Sequence, residues 1–261
     1  MIFLKTDEEI ELLRESNLIL GKALAEVAKA IAPGVTTAQL DKIAEEFIRD
    51  NGGIPSCKGY EGYPATLCTS VNEQVVHGIP SDKVYLKEGD IISVDTCVLK
   101  NGFHGDSAYT FPVGEVSDEI MHLLRTTKEC LYKGIEQAVT GKRMGDVGAT
   151  IQQHAENAGF QVVREFIGHG IGRDMHEDPE VPNYGRRGNG IVLKSGMVIA
   201  IEPMIMSGRR NIIIENDGWT ARAADRKPAA HYELSVAVRN GKADILSTFD
   251  YIKEVLGERF I

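Results

Sequence analysis

Apolar residues recur at Ile10, Leu13, Leu20, Leu24, Val27 and Ile31, the spacing of a helix with one buried face, and the run stops at Pro33-Gly34. Thr6 followed three residues later by Glu9 supplies a capping box, so a first helix is predicted to start at Thr6. A second is predicted from about Thr37, with Leu40, Ile43, Phe47 and Ile48 inward and Gly52-Gly53 as its stop. An irregular aromatic loop, CKGYEGYP, comes next. The period then changes: runs at 65–71, 90–99 and 103–111 read as strands, and 118–138 and 144–158 return to helical spacing. Further strands are predicted near 160–166, 197–202, 210–216 and 231–238. Each half reads as helices plus a hairpin-rich sheet, with no linker composition between. One α+β domain of two similar halves is therefore expected, although no internal sequence repeat is visible.

Composition narrows the partners. A chain of 261 residues can bury about three quarters of its unfolded surface, and 43% apolar with 26% charged residues is ordinary for a globular protein. Lys plus Arg of 29 against Asp plus Glu of 38 leaves a net charge of −9, which repels phosphate backbones and anionic lipid and argues against nucleic acid or a membrane as partner. The start, MIFLKTDEEIELL, lacks the features of a signal peptide, and no window offers the roughly twenty apolar residues of a membrane span. Cys57, Cys68, Cys97 and Cys130 contain no CxxC pair, so free thiols in a reducing cytoplasm are expected and a zinc knuckle is excluded.

The chemistry gathers around acidic residues in apolar strands. In GDIISVDTCVLKNGFHGDSAYTF, Asn101-Gly102 marks a hairpin. With a two-residue turn the numbers of paired residues sum to an odd value, so Asp95 and Asp106 fall opposite each other or on a diagonal of one face. Two buried carboxylates repel and lose hydration, a cost of several kcal/mol per ion unless cations sit between them. Glu202, in GMVIAIEPM, is delivered at a strand end by Pro203, and Glu233, in HYELSVAV, also has apolar neighbours. Taken singly, each acid reads as a solvent-facing or salt-bridged residue. Together with His169 the four carboxylates balance two divalent cations, and mainly oxygen donors with one imidazole suit a pair of first-row ions. That donor set does not select among Fe, Mn, Co, Zn and Ni. HExxH, GxSxG and Walker motifs are absent, and GHGIGR misses the dinucleotide fingerprint because Arg173 replaces its last glycine. His77 and His176, in turn-rich loops, are left over from the metal count.

The blocks CKGYEGYPATLCTSVNEQVVHGIP, VDTCVLKNGFHGDSA, GHGIGRDMHEDPEVPNYG, IEPM and ENDGWTARAADRKPAAHYE occur in the order and approximate spacing of a known family. Through them the chain resembles the type I methionine aminopeptidases of bacterial form over nearly its whole length. The resemblance implies the pita-bread fold, two pseudo-symmetric αβ halves around a curved antiparallel sheet. It also implies that residues 1–261 are a single catalytic domain, with neither the type II insertion nor the eukaryotic N-terminal extension. Asp95, Asp106, His169, Glu202 and Glu233 match the dinuclear metal ligands, with Asp106 and Glu233 in the bridging places. His77 and His176 match the histidines that contact substrate, and Glu202 the proton shuttle. Cys57, Tyr60, Tyr63, Cys68, Met175 and Trp219 match the methionine pocket, where soft sulfur and aromatic edges suit a thioether. Met175 stands where the family more often has an aromatic residue, and Phe166 where a tyrosine is common.

The implied activity is removal of the N-terminal methionine from nascent proteins and peptides with a small second residue. The resemblance further implies two divalent ions with a monovalent cation beside them, transient association with the ribosome, and a cytoplasmic monomer. Two rivals share the fold. Pita-bread peptidases acting at proline use the same five ligands but carry a large N-terminal domain, and non-catalytic pita-bread binding modules have lost metal ligands.

Overall fold

The computed structural model describes residues 1–261. α1 (Asp7–Ala30) begins at the expected box: the Glu9 amide donates to the Thr6 hydroxyl at 3.3 Å and the Thr6 amide to the Glu9 carboxylate at 3.1 Å. It buries Ile10, Leu13, Leu20, Leu24 and Val27, while Ile31 lies at its C-cap. α2 (Thr37–Asp50) starts from a second box, Thr36 with Gln39, which is legible in the sequence by the same rule. It buries Leu40, Ala44 and Ile48 and leaves Ile43 and Phe47 half-buried, a stripe turned slightly from the expected one.

The strands of the first half are β1 (Ile54–Pro55), β2 (Cys68–Val71), β3 (Gln74–Val76), β4 (Ile91–Lys100) and β5 (Phe103–Pro112). Asn101 and Gly102 both take left-handed φ, 52° and 79°, as the two-residue turn between β4 and β5 requires. α3 (Asp118–Ile135) and α4 (Met144–Asn157) follow, then β6 (Gln161–Val162), β7 (Gly168–Gly170), β8 (Glu177–Val181), β9 (Val198–Ile201), β10 (Met204–Met206), β11 (Ile212–Ile214), β12 (Ala221–Ala223), β13 (Ala229–His231), β14 (Glu233–Ala237) and β15 (Asp244–Ile245). A seven-residue α5 (Asp250–Leu256), not foreseen from its short pattern, ends the helices.

The large sheet runs β1-β4-β5-β14-β9-β7-β8, with β2 also on β4 and β15 also on β14. Its back face carries Val94, Tyr109, Leu234, Val236, Ile199 and Ile201 into the main core, where helices of both halves meet it through Leu24, Leu40, Leu123 and Ile151. Each such side chain taken fully from water contributes about 1.5 to 3 kcal/mol. The predicted strand 231–238 is two strands. Tyr232 separates β13, which pairs with β10 in a small sheet, from β14, which pairs with β9 in the large one. Pro203 makes the matching break between β9 and β10, so both segments change sheets at one level. No helix is long and apolar enough to cross a membrane.

Candidate active site

Register assembles the site. Cys68 pairs with Asp95, Asp95 with Ala108, and Ala108 with Glu233. Continuing the β9·β14 register past Ile201 sets Glu202 opposite Glu233. The adjacent row holds Cys97 paired with Asp106, then Ser235 paired with Ala200, and the β7·β9 register brings His169 to Ala200. Asp95 and Asp106 are thus diagonal neighbours on one face. β4, β5, β14, β9 and β7, consecutive in the sheet, each contribute one donor at or next to the strand: Asp95, Asp106, Glu233, Glu202 and His169. Between the donors stand the small residues Ala108, Ser235 and Ala200, which leave their volume to the longer side chains.

The donor atoms face common points without bonding each other. His169 Nε2 lies 3.7 Å from Asp106 Oδ2 and 3.7 Å from Glu202 Oε1. Donor atoms of Asp106, His169 and Glu233 lie within 4.8 Å of one another. Asp106 Oδ1 and Glu233 Oε1 are buried with no hydrogen-bond partner, as oxygens reserved for cations would be. Burial pushes Asp106 and Glu202 up to about 8, and burial together with the neighbouring acids drives Asp95 and Glu233 well above the carboxylate range. Burial, with His176 beside it, holds His169 down at about 3. A neutral imidazole makes no ion pair, so its contacts to Asp106 and Glu202 leave Nε2 free to serve as a metal donor. Four carboxylates that ionise only at a cost, with two oxygens unpaired, fit divalent cations.

The loop after β7 is set by close approach. A Cβ at Gly168 would collide with the Ala200 carbonyl, and one at Gly170 with that of Asp178, so both positions flanking His169 need glycine for contact and not for a left-handed turn. The His169 Nδ1–H donates to the Gly170 carbonyl at 2.9 Å, which leaves Nε2 as a lone pair facing the acids. The Glu177 carboxylate accepts the amides of Arg173 (2.9 Å) and Asp174 (3.3 Å) and is paired with the buried Lys5 ammonium, closing the loop that carries Met175 and His176. The His176 ring stands 4.2 Å from that of His169, exposed at the mouth, with Nδ1 2.8 Å from the Tyr60 hydroxyl. His77 occupies a left-handed backbone (φ 60°) next to Phe166 and Trp219, and burial, with His231 and His176 near, lowers it to about 4.

Every site residue named from the sequence lines one cavity of about 180 Å³. Its inner end is an apolar cluster of Cys57, Tyr63, Cys68, Cys97 and Met175 against Trp219, with the Tyr63 and Trp219 rings edge to face at 5.1 Å. Larger grooves of about 550 and 670 Å³ lie elsewhere and gather no comparable set of acids and imidazoles. Glu61 and Cys97 also line the cavity. Cys97 was legible: two residues after Asp95 on a strand, it must share that face. His231, fully buried with its Nε2 3.6 Å from Glu202 Oε2, stands in the AAHYE segment, where nothing in its spacing marks it as a site residue.

The sequence matches metallopeptidase family M24 over residues 11–240. It is 51% identical to the methionine aminopeptidase of Clostridium acetobutylicum over 247 residues, 95% of this chain and 99% of that relative. Among solved structures, the methionine aminopeptidase of Thermotoga maritima is similar with a TM-score of 0.94 and 42% identity, covering 95% of this chain and 100% of that one. The prolidase from Pyrococcus furiosus is similar with a TM-score of 0.72 and 23% identity, covering 94% of this chain and 65% of that one, a likeness of fold alone. The shared architecture is the α+β pita-bread fold.

Proposed function

Because the chain belongs to metallopeptidase family M24, within its bacterial type I methionine aminopeptidases, we propose that Asp95, Asp106, His169, Glu202 and Glu233 hold two divalent ions for removal of an N-terminal methionine followed by a small residue. What supports the reading is one observation: consecutive strands of one sheet bring these donors to a single buried face, with Asp106 Oδ1 and Glu233 Oε1 left without partners. Asp106 and Glu233 would be the carboxylates that serve both ions. Bound there, the ions supply Lewis acidity and make water nucleophilic near neutral pH.

The chain's own groups do the rest. The methionine side chain enters the end lined by Cys57, Cys68, Met175, Tyr63 and Trp219, where sulfur and ring edges contribute about 0.3 to 1.5 kcal/mol per contact. Its α-amine lies toward Asp95, which restricts cleavage to the first bond. Glu202 takes the proton from the attacking water and returns it to the departing amine. His176, at the mouth, donates to the developing oxyanion, and His77 supports the scissile nitrogen. Titration of chelator-treated protein with Fe, Mn, Co, Zn or Ni, assayed on Met-Ala-Ser and on a Gly-Pro peptide, tests the reading. Metal-dependent cleavage of Met-Ala-Ser alone is expected; preference for Gly-Pro, or turnover indifferent to metal, refutes it.

A further inference from the structure

His231 is buried behind the cavity and is not among the residues that line it. It is 1% exposed, and neither ring nitrogen has a hydrogen-bond partner, a state that buried polar groups rarely keep without a reason. Its direction is fixed by its backbone. The His231 amide donates to Thr110 Oγ1 at 2.9 Å, the same hydroxyl donates back to the His231 carbonyl at 2.7 Å, and the residue pairs with Met204 across the β10·β13 ladder. The ring is thereby held beside the turn Glu202-Pro203-Met204, with Nε2 3.6 Å from Glu202 Oε2. The other carboxylate oxygen, Oε1, faces His169 at 3.7 Å.

Glu202 therefore stands between two imidazoles, one to each oxygen. It needs such support: it lies just past the end of β9, and the one hydrogen bond that reaches it otherwise, from Asn183 Nδ2 at 2.9 Å, goes to its main-chain carbonyl and not to its side chain. We propose that His231 is a positioning residue for Glu202: its Nε2–H donates to Oε2, so that the carboxylate keeps one orientation and Oε1 is left to face His169 and the substrate. A shift of about half an ångström in the carboxylate brings the pair into hydrogen-bond range. The inference rests on the reading of Glu202 as the proton carrier.

The test compares His231→Leu, which keeps bulk and removes the donor, with His231→Gln, which restores one. Both are followed by thermal unfolding, by calorimetric titration of the chelator-treated protein with Mn or Co, and by separate kcat and KM on Met-Ala-Ser. For His231→Leu, two ions bind within about threefold of the native affinity and KM stays within about twofold, while kcat falls about 10- to 100-fold, as for a lost hydrogen bond to a charged group. His231→Gln recovers most of that kcat. Native kcat in the leucine variant overturns the proposal, since the ring then only fills space. Loss of an ion also overturns it, since the ring is then a ligand, as does a glutamine variant no better than leucine. Should the leucine variant not fold, His231→Asn, too short to reach Oε2, replaces it in the comparison. Glu202→Gln at saturating metal separates the two readings: if it turns over at the native rate, the assignment of Glu202 fails first and the role of His231 with it.

Discussion

Removing divalent metal should make the stability of this protein fall as the pH rises above about 6.5. The cause lies in the buried carboxyls: Asp106 and Glu202 are raised from 3.8 and 4.5 to about 8 by burial. Between those limits the folded state holds protons that the unfolded chain has released, so the free energy of unfolding decreases with pH. The histidines act oppositely but lower down. His169 and His77, held at about 3 and about 4 by burial, are neutral in the fold while the unfolded chain protonates near 6.5, which destabilises the fold only as pH drops below that value. From pH 6.5 to 8 the raised carboxyls dominate and each costs about 2 kcal/mol over that interval, while Lys128, lowered to about 8 by burial, acts oppositely near the upper end. Asp106 and Glu202 titrate together and with Asp95 and Glu233, which burial and the neighbouring acids also raise, so the loss belongs to the group of four and is not a simple multiple of that figure. Against a total stability of about 5 to 15 kcal/mol the loss is large. At a urea m-value of about 3 kcal/mol/M it moves the midpoint by roughly 0.7 M per carboxyl. Urea unfolding of chelator-treated and metal-loaded protein at pH 6.5, 7.25 and 8 reads it directly. The stripped protein should weaken steadily while the loaded one does not, and calorimetry in buffers of different ionisation heat should count at least one proton released per chain on metal binding near pH 7. A stripped protein as stable at pH 8 as at 6.5, or metal binding without proton release, would show that cations do not replace protons at this site.

The neighbouring histidines should separate cleanly. His169→Ala should lose metal affinity first and regain part of its activity as metal is raised, whereas His176→Ala should keep both ions and lose about 100- to 1,000-fold in turnover; the reverse pattern means the two roles are exchanged. Asp106→Ala and Glu233→Ala should each abolish metal-dependent activity, and near-native turnover at stoichiometric metal in either one would remove it from the bridging place. Lys5→Met leaves the Glu177 carboxylate buried without a countercharge, held by the Arg173 and Asp174 amides alone, which should cost about 3 to 5 kcal/mol in urea unfolding and disturb the loop bearing Met175 and His176; an unfolding midpoint unchanged by the substitution would mean that the pair is not needed to hold the loop.

Much of the site was legible because a strand's alternation and a turn's geometry are local. Asn101-Gly102 dictates a two-residue hairpin, the hairpin dictates odd pairing sums, and the sums put Asp95 and Asp106 on one face before any neighbour strand is known. Pro203 likewise announced that Glu202 sits where a ladder ends. The same logic, carried two residues on from Asp95, would have found Cys97.

The remainder was decided between segments far apart in the chain. Nothing in residues 103–112 says that β14, more than a hundred residues later, will insert between β5 and β9 and bring Glu233 level with Asp95; that order follows from how the apolar back face is covered by helices of both halves. The break at Tyr232 has no local breaker, and it exists because Pro203 ends the partner strand at the same level. Lys5 and His231 looked like ordinary residues of an arm and a strand, and only the fold buries one against Glu177 and aims the other at Glu202. Local backbone preference therefore determined which acids share a face, while the burial of apolar surface across the whole chain decided which faces meet, and so which of those side chains gather in one cavity.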